Sequence, residues 1–303
     1  MHIIYTETAK KRLDSYLAET LETTTRSQIQ KAIKLGQVLL NGEKSTVHHW
    51  LKSGDTIDYV AETREETVDR SIVPTINYQD EHYVVLDKPS GLLVHPTDRN
   101  EQHTLVSWLL KNFPQVSKFG DQRRPGLVHR LDRDVSGLIV VALDQAAYDD
   151  LKQQFQDRTI DKHYTGLVYG VIAKEEGQIV TPLERDKKTG KTKAQSDLRH
   201  QELSREAITH YEVLQRYQQF TLLNIKLVTG RTHQIRAHLH SIGHSLVGDV
   251  LYSTRDLKHK KLPDLRRPFL HASDLSFQSL NGEMIDCHSP LPSQLATLLT
   301  TLK

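Results

Sequence analysis

In the segment Arg124 to Leu143, RPGLVHRLDRDVSGLIVVAL, charged residues stand directly before a run apolar enough to form a buried strand. Asp132 is thereby held against a core, where a carboxylate needs a cationic partner. Its neighbours Arg130 and Arg133 qualify, as does an arginine brought in from elsewhere in the chain. Such a cation keeps the carboxylate ionised and usable as a nucleophile or base. The same pairing could equally be a structural ion pair that fixes a turn. Asp134, two residues on, would complete a glycosidase-like pair if both carboxylates faced one substrate. One of the two would then need a raised pKa to donate a proton, and the surrounding arginines push the other way.

A second cluster is TGRTHQIRAHLHSIGH, residues 229–244. If Thr232 caps a helix here, Ile235, Leu239 and Ile242 form its buried stripe, and Arg236 lies on the flank with His233 and His240. Arg231 then precedes the helix and is held by the Gly230 turn. Four histidines tempt a metal reading. However, His238 and His240 do not share a helical face, and the stretch contains neither acidic residue nor cysteine. Lys162-His163-Tyr164 opens a strand, where a tyrosine can stack on a base or simply pack in the core. LDKPSGLLVHP, residues 86–96, reads as a hairpin around a Pro-Gly turn. No Walker loop, GxGxxG or GxSxG occurs.

The elements that must hold these residues form two unequal units within 303 residues. Residues 1–60 read as a small αβ domain. Leu13, Tyr16, Leu17 and Leu21 recur at helical spacing, and a second helix from Ser27 turns Ile29, Ala32 and Ile33 inward and stops at Gly36. An Asn-Gly turn follows in VLLNGEK, and Thr56 to Val60 makes a further strand. The acidic stretch Ala61 to Arg70 has little to bury and reads as a linker, which extends to residue 74. Residues 75–303 alternate strand-like runs with three helical ones, Thr104–Asn112, Ala146–Asp157 and Thr232–Ile242. Strands dominate without βαβ regularity, so the expected class is α+β with a mixed, largely antiparallel sheet.

Composition is that of a globular chain, 37% hydrophobic and 26% charged. The single cysteine, Cys287, rules out a disulfide framework and fits a reducing, cytoplasmic setting. The longest apolar run, Gly137 to Leu143, is far short of the roughly 20 residues that cross a bilayer. Forty basic residues against 38 acidic give a net charge of only +2. The distribution is uneven, however. Thr23 to Gly42 and Val213 to Gly248 contain basic residues and no acidic ones, and Arg185–Arg199 and Arg255–Arg267 each hold six basic against two acidic. Segregated basic tracts suit a phosphate backbone; solvated surface lysines are the competing explanation.

Taken in order, DKPSGLLVHP, GLVHRLDRDVSGLIVVA, KHYTGLVYG and TGRTHQIRAHLHSIGHSLVGD resemble the four motifs of the RluA-type pseudouridine synthases, across roughly residues 76 to 292. The front, RLDSYLAETLETTTRSQIQKAIKLGQVLLNGE, is similar to an S4 RNA-binding domain. The S4-plus-catalytic arrangement is similar to the RluD-like branch, whose members modify large-subunit ribosomal RNA. The resemblance implies that Asp132 is the catalytic aspartate, Tyr164 the tyrosine against the uracil, and Arg236 the arginine that pairs with the aspartate. Arg130 would fill the space left by a flipped nucleotide, while His129 and Arg231 would help bind substrate. Arg26, Lys31 and Lys34 on the second S4 helix would contact phosphate. The implied reaction converts uridine to pseudouridine without cofactor, on ribosomal or transfer RNA, in a monomeric cytoplasmic enzyme with no membrane partner. Asp132 would either attack C1′ or remove the C2′ proton. Two positions depart from the pattern: Val135 stands where Thr is usual, and Glu184 in PLERD where Gly is common in the RluD-like branch. A non-catalytic S4 protein would be favoured only if the Asp132 motif were degraded, and it is intact.

Overall fold

A computed structural model describes the chain except residues 22–25, 60–70, 98–100, 187–190, 195–205, 253–264 and 303, and the side chains of Gln28 and Arg185. Contacts divide it into two units, Met1–Val68 and Asp69–Lys303. The acidic stretch expected to link them falls almost wholly outside the described residues, as do large parts of the basic tracts 185–199 and 255–267. Residues 71–74 are held to the second unit, where the Ile72 carbonyl accepts a hydrogen bond from His103.

In the first unit, helices α1 (Leu13–Thr20) and α2 (Arg26–Lys34) accompany a four-stranded antiparallel sheet in the order β1-β4-β2-β3. Its strands are β1 (His2–Ile4), β2 (Val38–Leu40), β3 (Glu43–Lys44) and β4 (Thr56–Tyr59). Leu13, Leu17, Ile29, Ala32 and Ile33 supply the buried stripes. Asn41 and Gly42 both take positive φ, 52° and 82°, as a two-residue hairpin turn requires.

The second unit is built on a nine-stranded sheet of β5 (Thr75–Gln79), β6 (Tyr83–Lys88), β9 (Ser136–Ala142), β10 (Asp161–Tyr169), β11 (Glu176–Val180), β14 (Ile208–Arg216), β15 (Phe220–Leu227), β16 (Leu270–Gln278) and β17 (Met284–His288). Two small hairpins lie outside it: β7 (Gly120–Asp121) with β8 (Arg124–Pro125), and β12 (Leu183–Arg185) with β13 (Thr192–Ala194). The order is β11-β14-β15-β10-β16-β9-β6-β5, with β17 beside β16. Only β9 and β16 pair in parallel, so the sheet is mixed and largely antiparallel, as the sequence predicts.

Helix α3 (Leu105–Asn112) opens on a capping box between Thr104 and Ser107. The next, α4 (Gln145–Asp157), opens on Asp144, whose side chain accepts from the Ala147 N–H. The last two are α5 (Gln234–Ser241) and α6 (Ser293–Thr300). β9 is buried along its whole length, which explains its unbroken apolar run. Gly137 within it has φ 117°, and a Cβ there would lie 2.2 Å from the Ala272 carbonyl oxygen, so only glycine allows β9 to approach β16.

Two local expectations fail. LDKPSGLLVHP is not a hairpin: β6 ends at Lys88, and beyond Gly91 the chain makes only an isolated bridge from Leu93 to Thr104. Thr232 does not cap α5 either. The N-cap is His233 in the left-handed region, φ 56°, and Ile242 is exposed rather than part of the buried stripe.

Candidate active site

Asp132 sits in the turn before β9, where its carbonyl accepts from the Val135 N–H. Three groups from the DKPSG turn grip this loop. Lys88, fully buried, donates from Nζ to the carbonyls of Pro89, Leu92 and Arg133; the Gly91 N–H donates to the Arg133 carbonyl; and Ser90 Oγ donates to that of Asp134. The first motif is therefore a clamp on the second. Below the loop, Arg267 donates to Ser136 Oγ, which bonds His271, whose other ring nitrogen reaches the Ser289 carbonyl.

The Asp132 side chain is 16% exposed. Its cation is Arg236, whose Nη1 donates to Oδ2 at 3.1 Å across 104 positions of sequence. Of the neighbours suggested by adjacency, Arg133 pairs instead with Asp134 at the surface, 3.1 Å. Arg236 is itself buried and held by Asp249, with Nε and Nη2 donating to the two carboxylate oxygens at 2.7 and 2.9 Å. Asp249 also accepts from the Leu251 and Tyr252 N–H groups, and the Tyr252 ring lies under the guanidinium, 5.2 Å away. Both carboxylates hold the Arg236 pKa above its ordinary value despite burial. A bidentate carboxylate on Nε and Nη2 orients the planar guanidinium and leaves Nη1 for Asp132.

Gln234, also buried, organises the loop before α5. Its oxygen accepts from Thr229 Oγ1 and the Arg231 N–H, while its amide donates to the Ile208 carbonyl and Thr209 Oγ1. His233 Nε2 is 3.8 Å from Asp132 Oδ2, and burial holds that ring below its ordinary pKa. His238 bonds Thr209 and the Thr181 carbonyl, and His240 bonds Ser245. Among the described residues no cluster of His, Cys, Asp or Glu has the arrangement of a metal site.

Tyr164 faces Asp132 from β10, whose pairing with β16 shifts register between His163 and Tyr164. Such a bulge re-aims a side chain. Burial, reinforced by the Asp132 charge, raises the phenol pKa, so it stays protonated near neutrality. Asp132, Tyr164, Arg130 and Arg231 line one cleft of about 460 Å³, and Arg130 and Arg231 are exposed to it. His129 lines it too, but its ring is committed elsewhere. Its Nε2 accepts from the Val140 N–H, it stacks on Phe155 at 4.8 Å, and burial beside Lys162 pushes its pKa down to about 3. Its Nε2 side thus braces the loop against β9.

In the first unit, Lys31 and Lys34 are exposed and make no ion pair among the described residues. Arg26 differs from the expected phosphate contact. Its Nε donates to the fully buried Asp14, which Arg12 and Gln30 also reach.

A further trough of about 440 Å³, lined by His163, Glu176, His210, Glu212 and Lys226, contains none of the predicted site residues. Its carboxylates oppose phosphate binding.

Asp249, Gln234 and Lys88 were not identified as site residues from sequence. The only signal for them is their presence in the same motifs, because their partners are fixed by tertiary contact.

Residues 82–241 match the RNA pseudouridylate synthase family, and residues 11–57 match the S4 domain. An uncharacterized RNA pseudouridine synthase of Bacillus subtilis is 36% identical over 98% of this chain and 96% of its own. The ribosomal large subunit pseudouridine synthase D of Nitrosomonas europaea is 37% identical over 96% and 84%. The structure of human RNA pseudouridylate synthase domain containing 1 superposes with a TM-score of 0.59 at 25% identity, covering 73% of this chain and 84% of that one. With an aspartate, an arginine and a tyrosine gathered from three of its motifs, and relatives matched along nearly its whole length, the chain belongs to the RNA pseudouridine synthases and carries an S4 domain ahead of the catalytic one.

Proposed function

We propose that the enzyme isomerises uridine in large-subunit ribosomal RNA, with Asp132 as the reacting carboxylate and no cofactor. The observation that carries the reading is the Asp132–Arg236–Asp249 arrangement. Asp249 takes the Nε and Nη2 edge of Arg236, which leaves Nη1 to meet one oxygen of Asp132 and sets a cation beside that carboxylate. The N1–C1′ bond breaks, the base turns, and C5 bonds to C1′ as its proton is lost and N1 regains one. A carboxylate at the ribose serves this sequence either by attack at C1′ or by removal of the C2′ proton. No electron is transferred and no group leaves the RNA, so the chemistry asks for no metal or redox group.

The remaining residues have corresponding tasks. Tyr164, protonated, lies against the base. Arg130 enters the space the flipped nucleotide leaves, since the base must first leave its stack. Arg231 at the cleft, and Lys31 and Lys34 on α2, meet phosphate. Relatives named for the large ribosomal subunit support ribosomal over transfer RNA. No described helix is long and apolar enough to cross a membrane. The lone cysteine, buried and free, fits a cytoplasmic enzyme acting as a monomer. A pseudouridine map of ribosomal and transfer RNA, with and without the gene, tests the target. At least one large-subunit position should disappear, and loss confined to transfer RNA contradicts the assignment.

A further inference from the structure

Lys162 is a cation that the reaction as described leaves unused. It stands two residues before Tyr164 on β10, half-buried, on the wall of the same cleft as Asp132. Its ammonium lies 4.7 Å from the centre of the Phe155 ring. His129 stacks on that ring as well, so helix α4, the HRLD loop and the start of β10 meet in one contact. Among the described residues Lys162 has no acidic partner. Asp161, beside it, is taken by Lys226 at 2.6 Å and by His163 at 3.2 Å. Two other cations of the cleft do have partners: Arg124 is 3.7 Å from Asp121, and Arg158 is 3.2 Å from Glu206.

A ring contact alone is a weak reason for a charge here. A cation over Phe gains about 0.5 to 2 kcal/mol, and a methionine or leucine would pack on Phe155 without the cost of desolvating an ammonium. A half-buried cation without an anion is explained if the ligand brings the anion. We propose that Lys162 binds a backbone phosphate of the RNA next to the reacting uridine and so positions that nucleotide over Asp132. This rests on the RNA-modifying reading above.

The charged groups facing Lys162 give the idea a pH signature. Burial pushes Lys162 down to about 8, partly offset by Asp161. The other cations of the cleft wall, Arg124, Arg130, Arg158 and Arg231, are guanidinium groups, and burial holds the His129 ring neutral near neutral pH. Tyr164, raised by burial, remains a phenol. Among the described residues Asp132 is the one carboxylate lining this cleft. A bound phosphate favours the charged ammonium, so it raises the Lys162 pKa and binding takes up a proton. That part of the affinity is present in full below the free value and is lost as pH rises from there through the higher value of the bound state.

The experiment measures binding of a large-subunit ribosomal RNA transcript against salt and pH for the wild type, Lys162→Met and Lys162→Arg. Methionine keeps the stack on Phe155 and removes the charge. The slope of log affinity on log salt should become shallower by about 0.7 to 0.9, the contribution of one phosphate contact. Wild-type affinity should fall from about pH 7 to about pH 9 more steeply than that of the Met variant, while Arg retains the slope and flattens the pH dependence. A wild-type salt slope in Lys162→Met overturns the proposal, as does a pH dependence shared by wild type and Lys162→Arg. The second comparison decides even if the Met variant does not fold. Absence of both RNA binding and turnover in the wild type contradicts the functional reading as well, whereas turnover with an unchanged Met slope removes only the role of Lys162.

Discussion

Arg236 and Arg231 belong to one motif, yet the structure separates them sharply. Arg236 is buried between two carboxylates, and Arg231 is exposed with its backbone N–H held by Gln234. Removing Arg236 leaves the fully buried Asp249 side chain without its counter-charge, so Arg236→Met should destabilise the protein by about 3 to 5 kcal/mol in denaturant titration and abolish turnover. Arg231→Met should change stability by less than about 1 kcal/mol and weaken RNA binding instead. Equal losses in the two variants would contradict the assignment. At this scale the sequence was partly legible. The motif order brought Asp132, Tyr164 and Arg236 to notice, and the structure gathers all three. Asp249 was not legible as their partner, because nothing local ties a carboxylate 13 positions on to a guanidinium whose other contact is 104 positions back. The bracing contact of His129 was not legible either, because the Val140 N–H that its Nε2 accepts from lies 11 positions on, in β9.

At the scale of elements, the helices declared themselves through apolar spacing, and the errors fell where a single side chain replaced a regular signal. The glycine and proline of DKPSG mark a turn correctly. The hairpin expected from them is absent: the Lys88 ammonium gathers the carbonyls of Pro89 and Leu92 from the segment itself and that of Arg133 from the next motif, so the segment folds around a side chain and not onto itself. At the start of α5 the cap is His233 in the left-handed region and not Thr232, and the Gln234 side-chain oxygen accepts from the Arg231 N–H of the loop before it. Helix α1 is tied to α2 by Asp14, whose case yields a pH prediction. Burial alone would raise its pKa, but hydrogen bonds from Gln30, Arg26 and Arg12 outweigh it and hold the group at about 2. The folded pKa lies below the unfolded one, so the stabilisation is present above the unfolded value near 3.8 and is lost as pH falls through the folded value near 2. Its size is on the order of 2 kcal/mol. In chemical or thermal unfolding of the first unit's helices, the wild type should lose stability between about pH 4 and pH 2, and Asp14→Asn should be weaker at neutral pH and flatter across that window. A parallel acid dependence in both proteins would dismiss the Asp14 network as its source.

Across the whole molecule, a net charge of +2 conceals a division of labour: Lys31 and Lys34 stand exposed on α2 of the first unit, and Arg130 and Arg231 line the cleft of the second. If the S4 unit supplies general affinity for RNA, the double variant Lys31→Gln, Lys34→Gln should make the salt slope of binding shallower by about 1.4 to 1.8 while leaving single-turnover chemistry at saturating RNA within about twofold of wild type. An unchanged slope would mark α2 as an ordinary solvated face. The composition shift after residue 60 pointed to two units, and contacts divide the chain at Val68/Asp69. The strand order of the large sheet was not readable, since pairings such as β9 with β16 depend on contacts over more than a hundred residues and on the absence of a Cβ at Gly137.

Asp132 is proposed to act as an anion without a cofactor, and tritium release from C5-labelled uridine measures that step. With chelator present and only large-subunit ribosomal RNA added, the wild-type protein should release tritium through repeated turnovers. Asp132→Asn, which keeps the side chain's shape but not its charge, should bind the RNA and release none above background. Release by Asp132→Asn within tenfold of wild type, or a requirement of the wild type for an added metal or nucleotide, would contradict that proposal.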